Sequence, residues 1–329
     1  MSRSRALAVA RAVVAVAVVG ALVWGVARSW SEISQDLQRV SPGALLVSVV
    51  PAALGTWLTM LGWRVILGDL GSPLHVAPAA GVWFVGQLGK YLPGSVWTVL
   101  VQADMAARLE VPRRRTGVAG LVTIGLSVLT GVLVGIPALP LLLQRPSGGS
   151  LGWLLLGLPV LGLLFWPALL NRLVAVGLRV LRQAPLEHRL SGRAVVTAVL
   201  LYVVAWLCFG VHVLVLAQAV GGGSAGGPLT LASLTGFGLS GALSMLTVIL
   251  PAGLGAREGL LTLVLASALP VPAATAVAIL SRFVVTLVDV AAAAAGWGYA
   301  RRHHLVASRA ELEAEPDAGA VVPLPGDDR

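Results

Sequence analysis

Six stretches of this 329-residue chain, 6–27, 42–67, 117–143, 151–170, 194–217 and 273–299, are apolar over lengths that reach across a bilayer. A hydrocarbon core about 30 Å thick takes about 20 such residues as a helix. Backbone groups in lipid find no water, so each such stretch must satisfy its own hydrogen bonds within the helix. The expected fold is therefore an all-α polytopic membrane protein with about six full spans. Hydrophobic residues make up 57% of the chain and charged ones 11%, against about 25% charged in a soluble domain.

Two further apolar segments are irregular. One is 76–101; the other, 229–269, is broken by Pro251, Gly253, Gly255 and Gly259. Non-helical backbone at membrane depth is tolerated where it is buried in protein or lines a watery cavity.

The net charge is +9. In a polytopic chain this reflects arginine-rich cytoplasmic loops, and no nucleic-acid partner is expected. The lone cysteine, Cys208, excludes an internal disulfide and matches no metal-site spacing. The basic start and long apolar run of the N-terminus read as a retained signal-anchor helix, with a cleaved signal as the alternative. After Tyr299 the chain turns polar, with Glu311, Glu313, Glu315 and Asp317 among Ala, Pro and Gly. The expected organisation is a transmembrane domain over 1–300 and a disordered acidic cytoplasmic tail over 301–329.

Loop charge sets the orientation. Arginines gather at Arg3 and Arg5, at Arg108 and 113–115, at Arg172, Arg179, Arg182, Arg189 and Arg193, and at Arg301 and Arg302. The positive-inside rule places these loops and both termini in the cytoplasm of a plasma-membrane protein. That holds only if 76–101 enters from the cytoplasm and returns to it as a re-entrant hairpin. By the same parity, 229–269 starts and ends outside, either as a hairpin or as two tightly packed spans. The halves then form an inverted pattern, each with a span, a broken segment and a span. Paired interrupted segments of this kind point to a transport site near the midplane. A chance pairing of Gly- and Pro-rich segments is the competing reading.

Lys90 is the only lysine in the chain, and it lies inside the first broken segment. A cation at membrane depth is costly and faces a cavity, a partner or a polar ligand. Lys90 and Arg257 are candidates for a lipid phosphate, Arg as a bidentate fork and Lys as a point charge. Gly86, Gly89, Gly94, Gly253 and Gly255 are candidates to free backbone N–H donors for an anion. Glu258 and Asp289 are acceptors, for the cations, for a headgroup amine or for a proton. The plainer readings are a snorkelled interfacial Lys90, a local Arg257–Glu258 charge pair, and a structural pairing on the helix face that Arg282 and Asp289 share. His212 reads as a packing histidine over a proton carrier. Gly131 with Gly135, and Gly236 with Ser240 and Ser244, have the spacing of close helix contacts. Trp24, Trp30, Trp57, Trp63, Trp83, Trp153 and Trp297 read as interface anchors. Arg113, Arg114 and Arg115 read as a topology signal, with anionic lipid as a second reading. Gln87, Gln102 and Asp104 read either as lining of the first hairpin or as helix capping.

The segments 86–97, GQLGKYLPGSVW, and 251–259, PAGLGAREG, with the span pattern, resemble the transmembrane flippase-like domain of the lysylphosphatidylglycerol synthase family. The likeness covers roughly residues 1–300. Gly89, Lys90, Pro93, Gly94 and Trp97 match its GK-x-LPG-x-x-W signature; Pro251, Gly253, Leu254, Gly255 and Glu258 match P-G-G-L-G-x-x-E, with Ala252 in place of a glycine. No soluble aminoacyl-transferase domain is expected after it. The resemblance implies the lipid-translocating part of that family, without synthesis of an aminoacylated lipid.

The function expected is non-enzymatic: translocation of a phospholipid or polyprenyl-phosphate-linked headgroup, with an anionic membrane lipid as the partner. The alternatives are a membrane-embedded transferase and a scaffold for a separate lipid-modifying synthase or glycosyltransferase. Against an enzyme, the chain has no DxD pair and no HExxH, and no nucleotide-binding glycine loop is read. No cofactor or metal is expected.

Overall fold

The computed structural model describes residues 40–91, 97–143, 162, 164–221, 226–245 and 255–303. Every element among these is helical. Four helices are long and apolar enough to cross a membrane: Pro42–Asp69, Arg113–Leu141, Gly192–Val220 and Val271–Arg302. These correspond to four of the six expected spans. The expected span at 6–27 and most of that at 151–170 lie outside the described residues, as does the tail from 304 onward.

The chain starts with α1 (Pro42–Asp69), opened by Ser41, whose side chain accepts from the Ala44 N–H at 3.2 Å, and by Pro42 in the first turn. That satisfies one of the donors every helix start leaves open. Gly71 ends the turn after α1 at φ +87°, and a Cβ there would lie 2.5 Å from His188. Only glycine takes that conformation without strain.

The first broken segment folds as α2 (Val76–Gln87), a 3₁₀ turn (Leu88–Tyr91), and α3 (Trp97–Ala107). At 1.5 Å per residue, α2 and α3 are each under about 20 Å long, short of a crossing. The arms touch where glycine allows it. A Cβ on Gly86 would meet Gln102 at 2.3 Å, and one on Gly89 would meet Thr98 N at 2.6 Å.

Next comes α4 (Arg113–Gly135), which Ile136–Ala138, containing Pro137, tightens before the short α5 (Leu139–Leu143). After α6 (Pro167–Val180), the long α7 (Gly192–Val220) is capped by Ser191. The second broken segment is α8 (Gly227–Met245) and α9 (Ala256–Leu265), with nineteen and ten residues. The last helix is α10 (Val271–Arg302).

Side-chain bonds place the loop ends. At one end of the bundle, Arg115 donates to Gly71 O at 2.7 Å and to Ser72 Oγ at 3.1 Å, and it pairs with Glu187. Arg114 bonds Ala184 O at 2.9 Å and Glu187 at 3.1 Å. Asp69 accepts from Ser191 N at 2.6 Å and Ser191 Oγ at 2.9 Å. The loops before α2 and after α3 are therefore neighbours, so the segment leaves and returns at the same, arginine-rich end. At the opposite end, a Cβ on Gly221 would lie 3.2 Å from Leu269. The second broken segment likewise starts and finishes at one end.

Packing between the halves is reciprocal. Helices α1 and α7 face each other along their length, α2 lies on α10, and α8 lies on α4. Small residues make these contacts close. Gly55 and Gly62 of α1 meet Phe209 and Tyr202 of α7; Gly131 and Gly135 of α4 meet Gly238, Leu239 and Ala242 of α8; Gly296 of α10 meets α2 at Gly81. The spacing of Gly131 and Gly135 read from the sequence thus marks a helix crossing, and Gly236 meets Val264 of α9. Gly236, Gly238 and Gly241 also fall at G-x-G-x-x-G spacing, but they lie within helix α8 rather than at a strand-to-helix turn. Two expected interface tryptophans are interior: Trp63 is fully buried, Trp83 nearly so, and their rings meet at 5.4 Å. Trp57 and Trp297 are exposed, while Trp24, Trp30 and Trp153 lie outside the described residues.

Candidate functional site

The middle of α10 collects both motifs. Arg282, Thr286 and Asp289 recur at i, i+4 and i+7, so they share one face. The 3₁₀ turn at the tip of the first segment reaches this face. Lys90 Nζ lies 2.7 Å from Asp289 Oδ2, and the Tyr91 hydroxyl donates to the same oxygen at 2.7 Å. Asp289 is 4% exposed in its side chain and Lys90 34%. The carboxylate is interior and its lysine sits at the edge of the packing.

The second motif arrives from the other end. Gly255 caps α9 at φ +86°, a left-handed conformation suited to glycine. Glu258 reaches back so that its Oε2 accepts from Gly255 N at 2.7 Å, one half of a capping box. Its Oε1 accepts from Arg282 Nη1 at 3.0 Å. One carboxylate thus starts α9 and pins it to α10. Arg282 is also 5.9 Å from the centre of the Tyr91 ring, so it touches both motifs.

Arg257 stands apart from these pairs. Its guanidinium lies over the Phe237 ring at 4.4 Å, and its Nη2 donates to Ser281 Oγ at 3.3 Å. Ser281 Oγ is 3.1 Å from His212 Nε2, and His212 Nδ1 is 3.0 Å from Ser48 O. A carbonyl only accepts, so Nδ1 carries a proton, and Nε2 pairs with the Ser281 hydroxyl. Both ring nitrogens are satisfied in a fully buried side chain, the environment of a packing histidine that ties α1, α7 and α10 together.

The structure redistributes the pairs read from the sequence. Glu258 bonds Arg282 rather than its neighbour Arg257, and Asp289 bonds Lys90 rather than Arg282. Adjacent helical residues point about 100° apart, which is why the side-by-side pair does not form. Gly89 is buried against α3. Trp97 opens α3 with its ring exposed. Pro93, Gly94, Gly253 and Leu254, also expected in the site, lie outside the described residues. Asp104 is exposed at the arginine-rich end on Arg113 at 2.7 Å, away from this cluster, and Gln102 is buried on Gly86. Sequence reasoning did not single out Tyr91, Ser281 or Phe237. The spacing of Arg282, Thr286 and Asp289 was the available signal that one face of α10 is polar at mid-length.

A comparison with curated proteins returned no match. The family model for the lysylphosphatidylglycerol synthase TM region matches residues 9–293, nearly the whole chain and both motifs. With its apolar helices and its two broken segments, the chain belongs to the lysylphosphatidylglycerol synthase transmembrane family.

Proposed function

We propose that this protein is a lipid translocase of the cytoplasmic membrane, carrying an anionic headgroup through a polar site at mid-bundle. The observation that carries this reading is the meeting of two ion pairs, Lys90–Asp289 and Arg282–Glu258, at the middle of α10, each contributed by a broken segment from a different end. Charge at membrane depth is expensive. A scaffold needs none of it, whereas a carrier does.

In this reading the termini are cytoplasmic, 76–101 is a re-entrant hairpin, and the reciprocal packing reflects an inverted repeat. The resting pairs neutralise Lys90 and Arg282. An arriving phosphate competes with Asp289 for Lys90, so the lysine keeps an anionic partner in both states. Lys90 suits this exchange because it lies at the exposed edge of its pair. The lipid itself is made by a separate synthase or glycosyltransferase, and no chemistry on it is assigned to this chain. Reconstitution into liposomes with a panel of fluorescent anionic lipids tests the reading. Leaflet exchange by the wild type and its loss in Lys90→Ala are expected; absence of exchange for every lipid would refute it.

A further inference from the structure

A charge inventory of the mid-bundle cluster does not balance. The cations are Lys90, Arg257 and Arg282; the carboxylates are Glu258 and Asp289. Lys90 is taken by Asp289 at 2.7 Å and Arg282 by Glu258 at 3.0 Å. Among the described residues, no carboxylate oxygen lies within bonding range of Arg257, which meets a hydroxyl at 3.3 Å and a ring face at 4.4 Å. Among the described residues the cluster therefore holds one positive charge in excess.

We infer that Arg257, rather than Lys90, is the primary seat of the headgroup phosphate, and that the site selects headgroups with a single net negative charge. The inference rests on the translocase reading and specifies its substrate class. A phosphodiester monoanion brings the cluster to neutrality. A zwitterionic headgroup leaves the excess in place, and a dianion overshoots it. Neutrality matters most at low dielectric, where an uncompensated charge carries its full desolvation cost.

The geometry of Arg257 fits the assignment. The Phe237 ring covers one flat face of the guanidinium and fixes its plane. Arginine carries five N–H donors in that plane, and Ser281 takes one. The rest form a fork matching two phosphate oxygens. Ser281 is itself held by His212, whose other nitrogen is anchored on Ser48. The arginine is thus oriented by α7, α8 and α10 before any ligand arrives.

The test is binding by the purified chain in neutral detergent. The probes are dihexanoyl-phosphatidylglycerol (a monoanionic diester), dihexanoyl-phosphatidylcholine (a zwitterion) and inorganic phosphate. Wild type is expected to bind the glycerol lipid about tenfold or more tighter than the choline lipid, the order lost with a charge-assisted bond. Arg257→Gln should erase that preference, and Arg257→Lys should keep part of it. Ser281→Asp leaves Arg257 in place but supplies an internal carboxylate, so it should erase the preference even if Arg257→Gln folds poorly. Arg113→Gln changes net charge equally at the exposed end of the bundle and should keep the preference. Retained preference in Arg257→Gln or Ser281→Asp overturns the assignment, as does equal weakening by Arg113→Gln. Inorganic phosphate binding as tightly as the lipid, with the same dependence on Arg257, overturns the lipid class. Arg257-dependent selectivity without leaflet exchange would refute the translocase reading and leave the anion seat standing. Leaflet exchange that persists in Arg257→Gln would do the reverse.

Discussion

The Arg282 guanidinium stands 5.9 Å from the centre of the Tyr91 ring, joining two segments that enter the bundle from different ends. On its other side Arg282 holds Glu258 at 3.0 Å, while the Tyr91 hydroxyl holds Asp289 at 2.7 Å. Movement of either segment's tip therefore disturbs hydrogen bonds at the other.

The Glu258–Arg282 pair gives a stability prediction. Both side chains are largely buried, at 15% and 17% exposure. Removing one partner breaks the ion pair, a loss of about 3–5 kcal/mol for a buried pair. Glu258→Gln and Arg282→Met should each lower the thermal midpoint in detergent. The double variant should lose less than the sum of the two, because the shared interaction can be lost only once. Additive losses would show that the residues act independently.

Lys90 and Asp289 give a transport prediction. Lys90→Ala should abolish leaflet exchange with expression and monodispersity intact, since Lys90 sits at the edge of the packing and Asp289 keeps its hydrogen bond from the Tyr91 hydroxyl. Lys90→Arg should retain part of the activity if a point charge suffices. Asp289→Asn should slow exchange, because it removes the counter-ion that Lys90 returns to. Normal exchange by the alanine variant would remove Lys90 from the site.

Topology is tested by cysteine labelling in a Cys208→Ala background. Cysteines at positions 72 and 113 should react from the same side of the membrane, because Ser72 and its loop are bonded to Arg115. Labelling from opposite faces would turn 76–101 into a spanning segment.

Glu187 supplies a pH dependence. Hydrogen bonding and charge from Arg115, with Arg114 nearby, hold its carboxyl below the ordinary value of 4.5. A folded-state value lower than the unfolded one stabilises the protein above 4.5. That contribution is lost as pH falls through the depressed value. Glu187→Gln should flatten the acid limb of the stability profile below about pH 4.5. An unchanged acid limb would mean that the contact adds nothing, as many exposed pairs do.

The four long spans were legible because uninterrupted apolar length carries them. The partners inside the site were not. Which carboxylate meets Lys90 depends on how α2 lies along α10, and nothing local to Lys90 encodes a residue so distant in sequence. Local adjacency was misleading at Arg257 and Glu258, where helical rotation sends neighbours to different partners. The tryptophans divided for a similar reason: amphipathic shape suits an interface, but Trp63 and Trp83 face each other inside a helix contact that only the three-dimensional packing defines.

The placement of α2 against α10 also orders events during synthesis. Lys90 emerges roughly 200 residues before its counter-ion Asp289, on the order of 10–40 s at about 5–20 residues per second. Through that interval the nascent first half carries an ammonium without its carboxylate, on a segment that packs on α1 but not yet on α10. Lys90 and Glu258 both gain their partners only when the last helix arrives, so translation of α10 is the step that ties the two broken segments together.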